Sequence, residues 1–178
     1  RDFVFATSAF YSSVNNYAYS VRVVEGSGYL PVYQYRQNDA KLYGGEVQFS
    51  YFFNEQLTFS SFVDYSQVQL TSGEDLPRIP PLRIKNTLNW EHMDWHYNVG
   101  VTTYAKQDKV GQFEEETDGY TLVDVGVYKH QNISVGQLKY FLKVNNLFDE
   151  EARVHSSFLK EQAPLPGVNV KLGVRWTF

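Results

Sequence analysis

The sequence predicts an all-β fold, an antiparallel transmembrane β-barrel segment of about eight strands. The clearest observation lies in residues 168–178, where apolar and polar residues alternate without interruption. Side chains of a β-strand point alternately to opposite faces, so a period of two indicates a strand with one apolar face. About 9–11 residues cross a bilayer when tilted, whereas strands of soluble sheets usually have about 5–6. The apolar positions are Val168, Val170, Leu172, Val174, Trp176 and Phe178.

The composition is the second observation. Aromatic residues make up 17% of the 178 residues, with 14 Tyr, 13 Phe and 3 Trp, which is typical of aromatic belts at two membrane interfaces. An aromatic-rich soluble β-domain, such as a carbohydrate binder, is the alternative explanation of the same numbers. The mean hydropathy is −0.41 and no long apolar run occurs, which excludes a transmembrane helix.

Charge and cysteine content further restrict the classes of protein to which the chain could belong. The net charge of −4 gives no support for nucleic-acid binding. The absence of Cys excludes a disulfide framework and a thiolate metal site. The chain is long enough for one domain with a sizeable core. It opens on Arg1 without a signal-peptide pattern, so we expect either a mature protein or a piece of a longer one.

Three strands are predicted in the first part of the chain. Residues 3–13, rich in Phe, Tyr and small residues, form the first strand, although the facing of its side chains is ambiguous. Residues 14–42 are polar and aromatic and are expected to form a long loop. The early part of that loop, residues 17–24, is alternatively a continuation of the first hairpin beyond the membrane. Alternation then predicts the second strand over residues 43–53 and the third over residues 57–70.

Five more strands follow from the same alternation. They are expected over residues 82–91, 95–106, 120–129, 136–146 and 168–178. Their polar faces carry Lys, Arg, Asp, Glu and Asn, as a wet barrel interior would, and no charged residue falls at mid-strand on their apolar faces. The apolar faces are therefore expected to meet lipid.

The connections alternate in length, which is the third observation. Short turns are predicted at residues 54–56, 92–94 and 130–135, and long loops at residues 14–42, 71–81, 107–119 and 147–167. Outer-membrane barrels have short periplasmic turns and longer extracellular loops. A soluble meander does not require short and long connections to alternate in this way. The long loops are therefore expected outside the cell, and the last strand is expected to end in the periplasm.

Several motifs resemble one family. Asn145-Asn146-Leu147-Phe148-Asp149, followed by a loop and a strand ending in Trp176-Thr177-Phe178, resembles the carboxy-terminal end of TonB-dependent outer-membrane receptors. The segment from Leu76 to Arg83, with sequence LPRIPPLR, and Tyr43-Gly44-Gly45-Glu46 are also similar to segments of that family. Val154-His155-Ser156-Ser157-Phe158-Leu159 resembles the last long loop of the subgroup that takes up zinc and, in some cases, haem.

The resemblance, which covers residues 41–178, implies a function and its partners. Such receptors hold a plug domain inside a barrel of about 22 strands. Residues 1–178 are then the carboxy-terminal portion of that barrel, with the plug domain absent. The resemblance implies uptake of a metal or metal chelate, with zinc or haem favoured as cargo rather than as a resident cofactor. It also implies that the protein lies in the outer membrane of a Gram-negative bacterium, in contact with its lipid. The implied protein partners are the TonB system, which acts through the missing plug, and the barrel-assembly machinery, which reads the strand that ends at Phe178.

One metal site is predicted in the loops. His155 lies in the last long loop, and Glu114, Glu115 and Glu116 lie in the loop before the sixth strand. These loops join neighbouring strands, so their tips can approach. One imidazole with carboxylates suits Zn²⁺ better than Ca²⁺. The alternative is that His155 packs beside Phe158 without a metal, and that the acidic run is a solvated loop. The other histidines, His92, His96 and His130, are expected at the periplasmic rim as solvated turn residues.

Two other functions fit parts of the sequence. Eight strands are able to close into a complete small barrel with an adhesive or structural role, because a barrel of this size is filled by its own side chains. An outer-membrane enzyme would need a Ser and a His near one rim, and the local pairing is His155 with Ser156 or Ser157. Neighbours on a loop rarely form such a site, so no catalytic residue is predicted.

Overall fold

The computed structural model describes residues 2–23 and 32–178, which form one antiparallel sheet with its strands in sequence order. The predicted all-β class, the eight strands and their antiparallel neighbour pairing are confirmed. None of the described residues forms a helix long and apolar enough to cross a membrane. The strands are β1 (Phe3–Arg22), β2 (Tyr33–Phe52), β3 (Leu57–Leu70), β4 (Arg83–His92), β5 (Trp95–Tyr104), β6 (Tyr120–Ile133), β7 (Gly136–Asn145) and β8 (Asn169–Thr177).

The sheet is open. Within residues 2–23 and 32–178, β1 pairs only with β2 and β8 only with β7, so the eight strands do not close on themselves. A transmembrane sheet requires closure because unpaired backbone groups in lipid are costly. The described residues therefore do not form the closed eight-stranded barrel that was the alternative interpretation of the sequence.

The first hairpin is longer than the sequence predicted. The long loop expected over residues 14–42 is wrong for its described part, since β1 runs to Arg22 and β2 begins at Tyr33. The alternative, a continuation of the first hairpin over residues 17–24, is confirmed for residues 17–22, and residues 24–31 lie outside the described residues. The register shifts between Val14 and Tyr17, where Asn16 has φ 55° and donates its backbone N–H to Asp39 at 3.0 Å. This bulge divides the hairpin into the pairing of residues 3–14 with 40–51 and an extension in which residues 17–22 pair with 33–38.

The other bounds differ from the prediction by only one or two residues, with one exception. The turn expected at residues 130–135 is wrong, because β6 continues to Ile133 and pairs with Gly136, leaving a turn at residues 134–135. Gly136 has φ 110°, a conformation that glycine adopts without strain, so the tighter turn is possible. Short turns still gather at one end of the sheet and long connections at the other.

The two faces of the last strands differ as predicted. On β8 the apolar side chains stand free of other protein, with Leu172 81% and Val174 61% exposed. Aromatic rings gather on this face near the short turns, where Trp90 stacks on Tyr97 at 5.0 Å between centroids. An apolar face with an aromatic rim fits lipid contact. The opposite, polar face is the one that the sequence predicted to face the barrel interior.

Burial is concentrated at the long-loop end. Ala40, Val68, Leu70 and Leu76 form a buried cluster between the first hairpin, the end of β3 and the connection that follows it. We call this end the loop layer; it comprises residues 71–82, 105–119 and 146–168 with the hairpin extension 14–22 and 33–42. The remaining strand residues form the strand band.

Candidate functional site in the loop layer

Three long connections pack against one another at the centre of the loop layer. Glu114 lies in a tight turn, in which its backbone N–H donates to Gly111 O at 3.1 Å and its Oε2 accepts from Gly111 N at 3.0 Å. A Cβ at Gly111 would lie 2.6 Å from Pro77 Cδ, so only glycine lets the turn approach the neighbouring connection this closely. The contact aims the Glu114 carboxylate between the loops.

The base of the last connection is tied by Asn146, which has φ 51°. Its side-chain amide donates to Glu150 O at 2.9 Å and accepts from Glu150 N at 2.8 Å, while its backbone N–H donates to Asp124 at 2.9 Å. Asp149 accepts from Val168 N at 2.9 Å and closes the other side of the loop. These bonds fix where residues 150–168 leave and rejoin the sheet.

A buried charged group joins the two loops that the sequence predicted would meet. Lys160 Nζ lies 3.2 Å from Glu114 Oε1 and donates to Glu115 O at 2.5 Å. His155 Nδ1 lies 2.9 Å from Thr117 Oγ1 and 3.4 Å from Lys160 Nζ. The side chains of His155, Lys160 and Glu114 are 1%, 7% and 8% exposed. We call Arg78, Glu114, Thr117, His155 and Lys160 the loop cluster.

The His155 ring lies between two charged groups. The Lys160 ammonium, which can only donate a hydrogen bond, lies 3.4 Å from Nδ1. Nε2 lies 3.3 Å from Glu114 Oε1 but forms no hydrogen bond of acceptable geometry with the described residues. His155 therefore touches a cation on one side and an anion on the other.

The Glu114 carboxylate is held ionised. Burial alone would raise its pKa, but the His155 ring, the backbone N–H groups of Gly111 and Arg78, and the charge of Lys160 together lower the pKa from 4.5 to about 2. Hydrogen bonds to the charged form and a nearby opposite charge both favour ionisation. The group is thus a permanent anion at physiological pH.

Arg78 connects the cluster to the first hairpin. Its backbone N–H donates to Glu114 Oε1 at 2.9 Å, and its guanidinium donates to Ser20 O at 2.9 Å. The guanidinium carbon lies 4.2 Å from the centroid of the Phe158 ring and 5.7 Å from that of Tyr33. The cluster therefore links the hairpin extension to all three long connections through charge, hydrogen bonds and cation–π contacts.

The four residues proposed from the sequence as a metal site are only partly together. His155 and Glu114 are in contact, but the Glu115 and Glu116 side chains are exposed, and Glu116 pairs with Lys106 at 2.6 Å. No group of three or more His, Asp or Glu suited to a metal ion occurs among the residues that the structure describes. The metal role of these four residues stays a prediction.

Lys160, Arg78 and Thr117 were missed by the sequence analysis. Lys160 has no periodic or motif signal, and a lysine on a loop is normally solvated. Arg78 lies within the Pro-bounded segment that resembled a family motif, but that resemblance assigned it no role. Thr117 forms an isolated bridge with Gln107 within the acidic loop, and this pairing has no counterpart in the sequence pattern.

The remaining candidates lie apart from the cluster or lack the required geometry. His96 pairs with Glu91 at 3.2 Å and packs edge-on against His130 near the short turns. Ser157, a partner considered for His155 in an enzyme, has its Oγ accepting from Leu159 N at 3.1 Å. Beside the cluster, a recess of about 520 Å³ opens between the hairpin extension and two connections. Its lining includes Tyr19, Val21, Arg36, Leu70, Glu74 and Leu76.

Comparison with known proteins identifies a family and several structural neighbours, two of which are described here. A family model described as "TonB dependent receptor-like, beta-barrel" matches residues 1–147. The fold is similar to "Copper transporter OprC", with a TM-score of 0.86 and 21% identity over 99% of this chain and 29% of that chain. It is also similar to "The FrpB iron transporter from Neisseria meningitidis (F3-3 variant)", with a TM-score of 0.69 and 18% identity over 97% of this chain and 29% of that chain. The chain thus spans less than a third of either transporter.

Proposed function

The chain belongs to the TonB-dependent receptor-like β-barrel family, and from this premise we propose that it forms the carboxy-terminal portion of a barrel that imports a metal or metal chelate. The family match over residues 1–147 is the observation that carries the proposal. Family members sit in the Gram-negative outer membrane, work with TonB and are not enzymes. The missing plug domain and its contact with TonB belong to the proposal.

The cargo is the finer part of the proposal. The sequence motif around His155 favours zinc or haem, whereas the two structural neighbours are described as copper and iron transporters. All four are metals or metal complexes, so metal uptake is the common expectation. An uptake experiment therefore has to test zinc, haem, copper and iron separately.

The loop layer supports a role in meeting the cargo outside the cell. The loop cluster fixes three connections and the hairpin extension in one arrangement, and the recess beside it is of a size that holds a small ligand. Apolar Val21, Leu70 and Leu76 line the recess together with the charged Arg36 and Glu74. A fixed, mixed recess on the extracellular side is suited to the first contact with a chelate.

Growth and uptake test the proposal directly. A strain lacking the full receptor is compared with the wild type and with a strain lacking TonB, using zinc, haem, copper and iron complexes as separate sources. We expect uptake of one of the four to fall equally in the two mutant strains. Unchanged uptake of all four without the receptor would exclude metal import.

We also keep the proposal that His155 binds metal with Glu114, Glu115 or Glu116. Imidazole nitrogen and carboxylates are zinc ligands, but the Lys160 ammonium lies 3.2 Å from Glu114 Oε1 and would repel a divalent ion bound there. Zinc titration by calorimetry on the full receptor and on His155→Ala decides this point. If the two isotherms coincide, His155 is not a ligand.

A structural role for His155 is the second candidate, favoured by the ammonium that already occupies its Nδ1 side. In that case His155→Ala loosens the contact between residues 105–119 and 146–168 without changing zinc binding. Hydrogen exchange of these two loops measures the loosening. Unchanged exchange together with weakened zinc binding would favour the metal site instead.

A further inference from the structure

The apolar face of the last strand continues across the sheet to the first hairpin. Residues directly opposite one another on antiparallel strands lie on the same face. One such row crosses all eight strands and contains the residues Val170, Val144, Val125, Val99, Leu88, Phe59, Tyr51 and Phe3. Because side chains alternate along a strand, Tyr65 shares this face with Phe59. Tyr43 and Lys41 share it with Tyr51 by the same rule.

Three tyrosines mark the boundary between this apolar face and the loop layer. Tyr11 is paired directly with Tyr43, and Tyr65 lies diagonally opposite Tyr43 on the next strand. Along β3, Tyr65 is eight residues from Leu57, which pairs with Trp90 in the aromatic rim near the short turns. This spacing is about 26 Å along the strand, or about 20 Å along the membrane normal at a tilt of about 40°. The tyrosines therefore lie at the second membrane interface, across an apolar band of about 25 Å.

A lysine of the loop layer contacts this tyrosine rim. Gln107 fixes the start of its connection, because it exchanges backbone hydrogen bonds with Thr117 and its Nε2 donates to Ile79 O at 2.8 Å. The Oε1 of Gln107 accepts the backbone N–H of Lys109 at 3.2 Å. Lys109 Nζ in turn donates to the Tyr65 hydroxyl at 3.0 Å. The connection thus directs a cation out of the loop layer and onto the apolar side of the sheet.

A second lysine lies at the same level. Lys41 is two residues before Tyr43 and is paired directly with Gln69 on the same face. The side chains of Lys41 and Lys109 are both exposed. The apolar face thus ends in a layer of tyrosine hydroxyls with ammonium groups beside it. We call Lys41, Tyr43, Tyr65 and Lys109 the outer patch.

The positive charge of the outer patch is not balanced by an ion pair. Within residues 2–23 and 32–178, neither Lys41 nor Lys109 forms one. The hydrogen bond with Tyr65 raises the pKa of Lys109, and Asp75 contributes, but the Asp75 Oδ1 accepts from Gln67 Nε2 at 3.0 Å. Strands β1 and β3 flank Lys41, and Lys109 lies over β3, so neither lysine is next to an open edge of the sheet.

We propose that the outer patch binds the phosphate group of a phosphorylated glycolipid in the outer leaflet of the outer membrane. The patch continues the apolar face, so the molecule beside it at this height is a lipid headgroup, and the two ammonium groups select an anionic one. The tyrosine hydroxyls donate and accept hydrogen bonds, which suits the sugar hydroxyls next to the phosphate. The inference rests on the proposed function only in placing the long loops outside the cell.

Lys129 provides a matched control on the same face. Its Nζ lies 5.2 Å from the centroid of the Trp95 ring, close to the short turns at the other end of the sheet. Lys129 and Lys109 therefore each combine an ammonium group with an aromatic side chain, but at opposite ends of the apolar band. A glycolipid confined to the outer leaflet should depend on Lys109 and not on Lys129.

Titration of the full receptor with diphosphoryl lipid A, followed by native mass spectrometry, tests the inference. We expect Lys41→Gln and Lys109→Gln each to raise the apparent Kd of the first bound lipid by about five-fold. Lys109→Arg keeps the charge and should bind as the wild type does, and so should Lys129→Gln. Lipid A without its phosphates should bind the wild type as weakly as diphosphoryl lipid A binds the double variant. An equal Kd for the wild type and the double variant, or for the two lipids, would overturn the inference.

Gentle extraction from native outer membranes tests which leaflet supplies the lipid. We expect the wild type and Lys129→Gln to retain glycolipid, and the double variant Lys41→Gln, Lys109→Gln to retain several-fold less. Retained phospholipid in place of glycolipid, lost in the double variant, would place the outer patch in the other leaflet and overturn the inference. Neither experiment bears on metal uptake, so the failure of this inference is distinguishable from the failure of the proposed function.

Discussion

The strand band and the loop layer are stabilised in different ways. In the band, side chains such as Leu172 and Val174 stand exposed on the apolar face, and stability comes from ladder hydrogen bonds and from lipid. In the loop layer, Leu76, His155 and Lys160 are buried within the protein, and charged groups hold the connections together. The band is organised by a repeating pattern and the loop layer by individual contacts.

The largest expected effect is the loss of the buried anion. Glu114→Gln leaves the Lys160 ammonium buried without its partner, and removing one member of such a pair costs about 3–5 kcal/mol. We expect this cost in the free energy of opening residues 105–119 and 146–168, measured by native-state hydrogen exchange on the full receptor, with little change in β5–β8.

The neighbouring Glu116→Gln is the matched control. Glu116 pairs with Lys106 at 2.6 Å, but both side chains are about half exposed, and such surface pairs contribute about 0–1 kcal/mol. Equal effects of the two substitutions would mean that the loop layer is not held by its buried charge.

The strand band should respond to lipid-facing charge instead. Leu172→Arg should cost about 2–4 kcal/mol if the residue lies near the bilayer midplane. Lys171→Ala, one position away on the inner face, should cost much less. A folding titration in lipid measures both, and equal losses would contradict the assignment of the two faces.

Acid should weaken the loop layer at one carboxylate. The pKa of Glu114 is lowered from 4.5 to about 2, so its stabilising charge is fully present above about pH 4.5 and is lost as the pH falls towards 2. The loss amounts to at most about 3 kcal/mol. Pepsin cleavage of residues 105–119, followed between pH 4.5 and 2, should accelerate in the wild type. Glu114→Gln should be cleaved quickly with little such acceleration; a parallel acceleration in both would assign the effect to another group.

The smallest thermodynamic effect is expected at Phe178. Phe178 is 93% exposed, so its ring makes few contacts within this chain. Deleting the residue removes one aromatic ring and should lower the free energy of unfolding by on the order of 2 kcal/mol. If the assembly machinery reads this strand, surface display in cells should fall far more than refolding in detergent. Unchanged display after the deletion would count against that role.

The sequence predicted the strand band well because its side chains face only two environments. The alternation in residues 168–178 is what lipid on one face and a polar interior on the other would require. It therefore predicts the strand, its length and the direction of its side chains together. The hairpin extension was predicted only as an alternative, over residues 17–24, because its second strand, residues 33–38, is mostly polar and pairs without a continuous apolar face. The bulge at Asn16 marks the change, but a single Asn is no signal by itself.

The loop cluster was predicted only in part, for a physical reason. That residues 107–119 and 147–167 would meet follows from strand adjacency, and His155 and Glu114 do meet. The burial of Lys160 does not follow from any local pattern, because it depends on contacts made across 46 residues of sequence. The motif at Asn146 and Asp149 indicated the family, but its role as the tie at the loop base became clear only from the hydrogen bonds.

Spin-label scanning of residues 169–177 tests the orientation of the two faces most directly. Single nitroxides are placed in turn along β8 of the full receptor in bilayers, and their accessibility to oxygen and to a polar nickel complex is compared. Oxygen accessibility should peak at Val170, Leu172 and Val174 and fall at Lys171 and Gly173, with a period of two. A flat profile, or one with its oxygen maxima at Lys171 and Arg175, would contradict both the membrane assignment and the inner position of these two residues.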